Sequence, residues 1–171
     1  IANHRPEVLR TLVSDPSVQI GFADSGAHLR NMAFYNFPLH LLKMARDSEH
    51  HGGAFMSVER AVHRLTAEIA DWYALDVGRI QVGGRADVVV IRPEGLNDDI
   101  FGYSEAPMPG CPGVQRMVRR NDSAVVATLI GGHRVFGNGK FVDGYGQTVG
   151  TGVVLRAAGT SSALAPEEQA A

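Results

Sequence analysis

Residues 57–91 read SVERAVHRLTAEIADWYALDVGRIQVGGRADVVVI, and the hydrophobic period changes partway along them. Up to Trp72 the apolar residues Val58, Ala61, Val62, Leu65, Ile69 and Trp72 recur at spacings of three and four, the period of an amphipathic helix. Ser57 is a suitable N-cap, and Glu59 places an anion in the first turn, where the helix dipole favours it. These signals predict a helix over 58–74. From Val77 the period falls to that of strands: Ile80 to Val82 and Asp87 to Ile91 are short β-type runs separated by Gly83-Gly84.

Outward from this switch the chain divides. On the N-terminal side, Pro6 suits a first helical turn, Val8, Leu9, Leu12 and Val13 form a stripe, and Asp15-Pro16 ends it. Val18-Gln19-Ile20-Gly21-Phe22 alternates and predicts a short strand running into the polar turn Ala23-Asp24-Ser25-Gly26. Asn36 to Arg46 reads as a helix with Pro38 near its start, and Asp47 to Phe55 reads as a loop. On the C-terminal side, Pro93 to Gly113 reads as a long irregular stretch and Ser123 to Ile130 as a strong β-branched strand. Val135-Phe136 and Phe141-Val142 flank Gly137-Asn138-Gly139, which signals a hairpin. Eight of the twenty glycines fall between 131 and 152, as turn-dense β structure requires. Residues 156–171 carry too few large apolar groups to pack and are expected to be a disordered tail. The chain is thus α-rich over 1–76 and β-rich over 77–155. Only a two-residue step separates the halves, so they are expected to pack together.

Composition excludes several classes. A net charge of −2 over 171 residues removes the electrostatic case for nucleic acid. One cysteine, Cys111, excludes a disulfide framework or a cysteine-rich zinc ribbon. No apolar run approaches the ~20 residues of a membrane span. The chain begins Ile-Ala-Asn-His, with neither methionine nor a signal-peptide pattern, as a processed chain or a fragment would. A cytoplasmic location is the expectation.

Asp24 is the strongest candidate for chemistry. A carboxylate on a loop after a strand is where α/β enzymes place catalytic groups; there it can bind a divalent cation or accept a proton from a metal-bound water. Asp-Ser-Gly is equally a good turn tripeptide, and the spacing alone leaves both readings open. Of the seven histidines (His4, His28, His40, His50, His51, His63 and His133), none forms H-x-H or H-E-x-x-H. His28, four residues after Asp24, is close enough to share a site. His50-His51 reads as a solvated pair, His63 as a surface residue of the 58–74 helix and His133 as part of a glycine turn. Gly78 to Gly84 lacks the following helix that a phosphate loop needs. Arg116, Arg119 and Arg120 read as a solvated basic cluster.

Two stretches together resemble a known family. Ala61-Val62, Leu65-Thr66, Ala74-Leu75, Gly78-Arg79-Ile80, Gly83 and Ala86-Asp87-Val88-Val89-Val90 are similar to the ending of metal-dependent amidohydrolases. Upstream, Ile20-Gly21-Phe22-Ala23-Asp24-Ser25-Gly26-Ala27-His28 and Asn36-Phe37-Pro38 resemble the N-acyl-D-amino acid deacylase branch. The resemblance covers about residues 1–91, in the family's order. It implies an α/β parent with a (β/α)8 barrel and a small β-sandwich. Of these the chain would hold the last barrel strand (18–23), late barrel helices and the C-terminal share of the sandwich (79–142), an α+β unit as it stands. It implies a zinc-dependent hydrolase of N-acyl (D-)amino acids. Asp24 would serve as general base and acid on the metal-bound water and as a weak or second metal ligand. Zinc would belong to the parent rather than to this chain alone, since the family's first seven strands and its H-x-H pair are missing. His28 is the substrate-binding candidate: with Arg30 and Asn31 it reads as lining a pocket mouth or, equally, as surface. The expected partners are the N-acyl amino acid substrate, and a second copy of the chain or the missing N-terminal part; no nucleic acid or membrane is expected. The alternatives are a non-catalytic α+β binding or dimerisation module, and a subunit completed by a partner chain.

Overall fold

A computed structural model describes residues 5–21, 35–108, 111–119, 121–147 and 152–157. The described chain is α+β: four helices come first, followed by two antiparallel sheets. Helix α1 spans Pro6–Ser14, with proline in its first turn; it stops where Asp15, preceding Pro16, turns extended. Helix α2 spans Phe37–His50, four residues beyond the predicted end. A Lys43–Asp47 ion pair one turn apart and the buried Ser48 hydroxyl, donating to Ala45 O at 2.7 Å, carry the helix through residues expected to form a loop.

The predicted 58–74 helix is two helices, α3 (Val58–Leu65) and α4 (Ala67–Trp72), broken at Thr66. Ser57 caps α3 as expected, its hydroxyl accepting the Arg60 N–H at 3.1 Å. At the break the Thr66 hydroxyl donates to Val62 O, and the chain returns so closely at Gly78 that a β-carbon there would lie 2.9 Å from the Thr66 carbonyl group. Helix α4 closes with paired bonds from Leu75 N–H to Ala70 O and from Ala74 N–H to Asp71 O, a Schellman closure. The left-handed position of that closure is held by Ala74, at φ 52°, where glycine is usual.

Strand β1 (Val88–Ile91) pairs antiparallel with β4 (Val125–Ile130). Strand β4 continues to β5 (His133–Gly137) and β6 (Lys140–Phe141), giving the order β1-β4-β5-β6. Both hairpin links are two residues long with both residues at positive φ: Gly131-Gly132 at 56° and 82°, and the expected Asn138-Gly139 at 53° and 74°. A second sheet pairs β2 (Ser104–Pro107) with β3 (Gln115–Val118). Strand β2 and the 3-10 turns Pro93–Gly95 and Asp98–Phe101 lie in the stretch read as irregular. Ser-Glu-Ala-Pro has no local strand signal, and only its pairing with β3 extends it. Two predicted strand runs form no strand among the described residues. Residues 80–82 form no strand: Ile80 is 93% exposed and Val82 is fully exposed, with no strand partner among the described residues. Residues 18–21 follow a turn closed by Val18 N–H to Asp15 O and join no described sheet.

The core draws on both sides of residue 77. Leu39, Leu41, Leu42 and Ala45 of α2, with Met56 and Ala61, pack against Leu96, Ile100 and Ala124. Each large side chain fully buried there contributes roughly 1.5–3 kcal/mol. Arg46 reinforces the join by donating to Pro93 O at 2.5 Å and Leu96 O at 2.6 Å. Because Ala74 carries a β-carbon in a left-handed closure, Ala74→Gly is expected to stabilise the fold by about 0.5–1 kcal/mol, read as a higher urea midpoint at unchanged slope. A lower midpoint would contradict this reading of the turn.

Candidate functional site

Asp24, His28, Arg30 and Asn31 lie outside the described residues, as do His4 and Arg120. What the structure gives is the geometry of the two segments that lead into and out of residues 22–34. On the entering side, Ile20 packs against the core and the Val18 carbonyl accepts a hydrogen bond from Arg64 Nη2 at 2.7 Å. Arg64 is only 2% exposed, in the last turn of α3, and its Nη1 pairs with Glu68 of α4. Arg60 Nη1 holds the other Glu68 oxygen at 2.5 Å. Burial pushes the Glu68 carboxyl up, but hydrogen bonds from Arg60 and Arg64 outweigh it and leave it below the usual range.

On the leaving side, Tyr35 donates its hydroxyl to Met117 O at 2.5 Å. Asn36 is 7% exposed and stands at the N-cap of α2, but its side chain does not cap the helix. Its Nδ2 donates to Ile100 O at 2.7 Å and to Asn121 Oδ1 at 3.0 Å. Asn36 Oδ1, an acceptor, and Asn121 Nδ2, a donor, are buried without a hydrogen-bond partner among the described residues. His40, one turn into α2, places Nε2 3.4 Å from the same Ile100 carbonyl and its ring 4.8 Å from that of Phe101. Burial pulls its pKa below the usual value; the Ile100 carbonyl acts the other way, and the Arg119 charge adds to the lowering.

The other sequence candidates are dispersed. His50 ends α2, His51 Nδ1 contacts Asp47 O at 2.6 Å, His63 lies 3.6 Å from Glu68, and His133 opens β5. No group of three or more metal-ligating side chains forms among the described residues. Of the basic cluster, Arg119 donates to Phe101 O at 2.7 Å, while Arg116 lies in β3 with its Nε buried and without a hydrogen-bond partner among the described residues. Asp87, singled out only as part of a pattern, clasps the sheet: its Oδ1 accepts the Gly131 N–H at 2.7 Å and its Oδ2 takes Arg85 Nε at 2.6 Å. Those bonds, Arg85's first, hold its carboxyl below the usual range. Arg64 escaped the sequence reading although its signal was present. With Ala61, Leu65 and Glu68 it forms an i, i+3, i+4, i+7 set, which sets a cation on the inward face of the helix.

Among known proteins, the chain is 52% identical over 168 residues to uncharacterized proteins of Mycobacterium tuberculosis (strain ATCC 25618 / H37Rv) and Mycobacterium bovis. The match covers 96% of this chain, and the chain spans 28% of the length of those relatives. Since 168 residues are 28% of each, the relatives are about 600 residues long. No family model matches, and no solved structure matches. Among the described residues no helix is long and apolar enough to cross a membrane.

The lowered pKa of His40 gives a pH test. A depressed folded value means that the neutral ring stabilises the fold above the unfolded value, about 6.5, and that this contribution is lost as pH falls through the folded value. The urea midpoint should therefore drop between pH 7 and pH 5 more steeply in the wild type than in His40→Gln. Parallel profiles would show that His40 titrates as it does in the unfolded chain.

Proposed function

We propose that this chain is the C-terminal part of a longer metal-dependent amidohydrolase that cleaves the amide bond of N-acyl amino acids, D-configured ones included. Asp24 is its catalytic contribution. The observation that carries this reading is the pattern at 57–91, with the Asp24 segment ahead of it in the same order as in the amidohydrolases it resembles. Two further observations support it. The pattern positions Ala74-Leu75 and Ala86-Asp87 close α4 and clasp β1 to the Gly131-Gly132 turn, work that suits a recurring scaffold element. Relatives about 600 residues long also leave ample chain for a barrel and for metal ligands.

In this reading Asp24 moves the proton between the attacking water and the leaving nitrogen. His28 lies on the substrate side. No group of three or more metal-ligating side chains forms among the described residues; that the zinc ligands other than Asp24 come from polypeptide outside this chain is part of the proposal and follows the resemblance. A cytoplasmic location is part of the same proposal. Exposed apolar residues support cover of this unit by further polypeptide. Ile80 and Val82, ahead of β1, and Val89 and Val90, within it, are exposed, and β1 is an edge strand among those described. An apolar edge of this kind calls for cover from further polypeptide, whether the same chain or a partner.

The test is Asp24→Asn in the full-length polypeptide. Its kcat on N-acyl-D-amino acids should fall by at least 100-fold, the low end for a lost general acid–base group, with the unfolding midpoint unchanged. Full activity in the variant would overturn the role of Asp24.

A further inference from the structure

We propose that the cavity beside the β5–β6 hairpin is a binding site for a small monocarboxylate with an apolar tail, its carboxylate held by Arg134 and Lys140. The inference goes beyond the hydrolase reading and does not rest on it. A cavity of about 250 Å3 opens at this hairpin. Its walls include Arg134 of β5, Lys140 and Phe141 of β6, and Val142 and Asp143 just after β6.

Backbone register brings the two cations together. Gly137 pairs directly with Lys140, so both present the same face of the hairpin, with β-carbon positions ~5 Å apart. Arg134 reaches that spot along its own strand: its Cδ lies 3.3 Å, and its Nε 3.8 Å, from where a β-carbon on residue 137 would be. Glycine at 137 thus leaves the room that the Arg134 side chain takes. Like charges set side by side repel, and neither cation joins an ion pair or a side-chain hydrogen bond among the described residues. An anion between them removes the repulsion and accepts charge-assisted hydrogen bonds from both.

Charge and wall chemistry narrow the ligand. Asp143 offsets one of the two positive charges, which suits a singly charged carboxylate better than a phosphate dianion. Asp122 approaches the turn at Gly139 without lining the cavity. Phe141 supplies an apolar wall: its ring stacks on Tyr145 at 4.7 Å and meets Phe136 edge-on at 5.4 Å, yet it stays 48% exposed. With Val142 it offers contact to a short alkyl chain. The volume falls below the ~300–1,000 Å3 of sites for drug-sized ligands, so the ligand is small.

The probe is isovalerate, a branched short-chain carboxylate, added to the full-length polypeptide while its lysines are acetylated by a neutral reagent and read by peptide mass spectrometry. Lys43, the other lysine of this chain, is paired with Asp47 and Asp98 and serves as the internal control. Saturating isovalerate should slow acetylation of Lys140 at least threefold and leave Lys43 unchanged, with half the effect at roughly 1–10 mM, as so small a ligand allows. Arg134→Gln, a change at an exposed position, should raise that concentration at least fivefold without lowering the unfolding midpoint. Equal slowing by chloride at the same ionic strength would reduce the effect to screening and overturn the site. An unaltered half-effect in Arg134→Gln would overturn it too, as would a Lys140 that does not react even without isovalerate, since further polypeptide would then fill the cavity. Phosphate that protects Lys140 as well as isovalerate does would overturn the carboxylate assignment.

Discussion

Helix α2 is held at both ends to one short stretch of chain, and the rest of the structure depends on that double tie. Asn36 at its start donates to Ile100 O; Arg46 three turns later donates to Pro93 O and Leu96 O. Between them Leu39, Leu42 and Ala45 are buried with Leu96 and Ile100. Within 93–100, a stretch of tight 3-10 turns, the carbonyls of Pro93, Leu96 and Ile100 accept side-chain donors from Arg46 and Asn36. Two neighbouring contacts extend the tie: Lys43 reaches Asp98 at 3.1 Å, and Asn36 continues through Asn121 toward β4. An α-rich half and a β-rich half with a two-residue step between them are thereby joined by polar contacts as well as by apolar ones.

The same tie limits what the sequence could reveal. Helices announce themselves through local spacing, and α1 and the starts of α2 and α3 lie where the periodicity puts them. The Asn138-Gly139 hairpin was legible for a similar reason, because its backbone angles are local requirements. Features that depend on distant partners were not legible. Strand β2 contains proline and serine and exists through β3. The break at Thr66 reflects the close return of Gly78, twelve residues later. Residues 80–82 carry a strand's composition, yet nothing among the described residues pairs with them.

For the candidate site the balance is reversed. The sequence singled out Asp24 through its setting between an alternating run and a glycine turn; Asp24 lies outside the described residues, and the fold gives only the segments that lead into and out of 22–34. Arg64 and Asn36 were hard to weigh as residues because a charged or amide side chain on a helix is usually solvated. Their burial, and the carbonyls they reach 46 and 64 residues away, are consequences of α2 and α3 packing together and against the 93–100 turns. Asp87 illustrates the opposite hazard: a carboxylate in a recurring pattern, here accepting a backbone N–H and an arginine, does a structural task.

The central claim is that this fold is the closing portion of a zinc-dependent hydrolase of N-acyl amino acids. The most direct measurement is the metal content of the full-length polypeptide together with its release of free amino acid from N-acyl-D-amino acids, before and after chelation. The account predicts bound zinc, hydrolysis that is lost on chelation, and recovery when zinc is returned. A full-length protein that binds no metal and releases no amino acid, with or without added zinc, would contradict it.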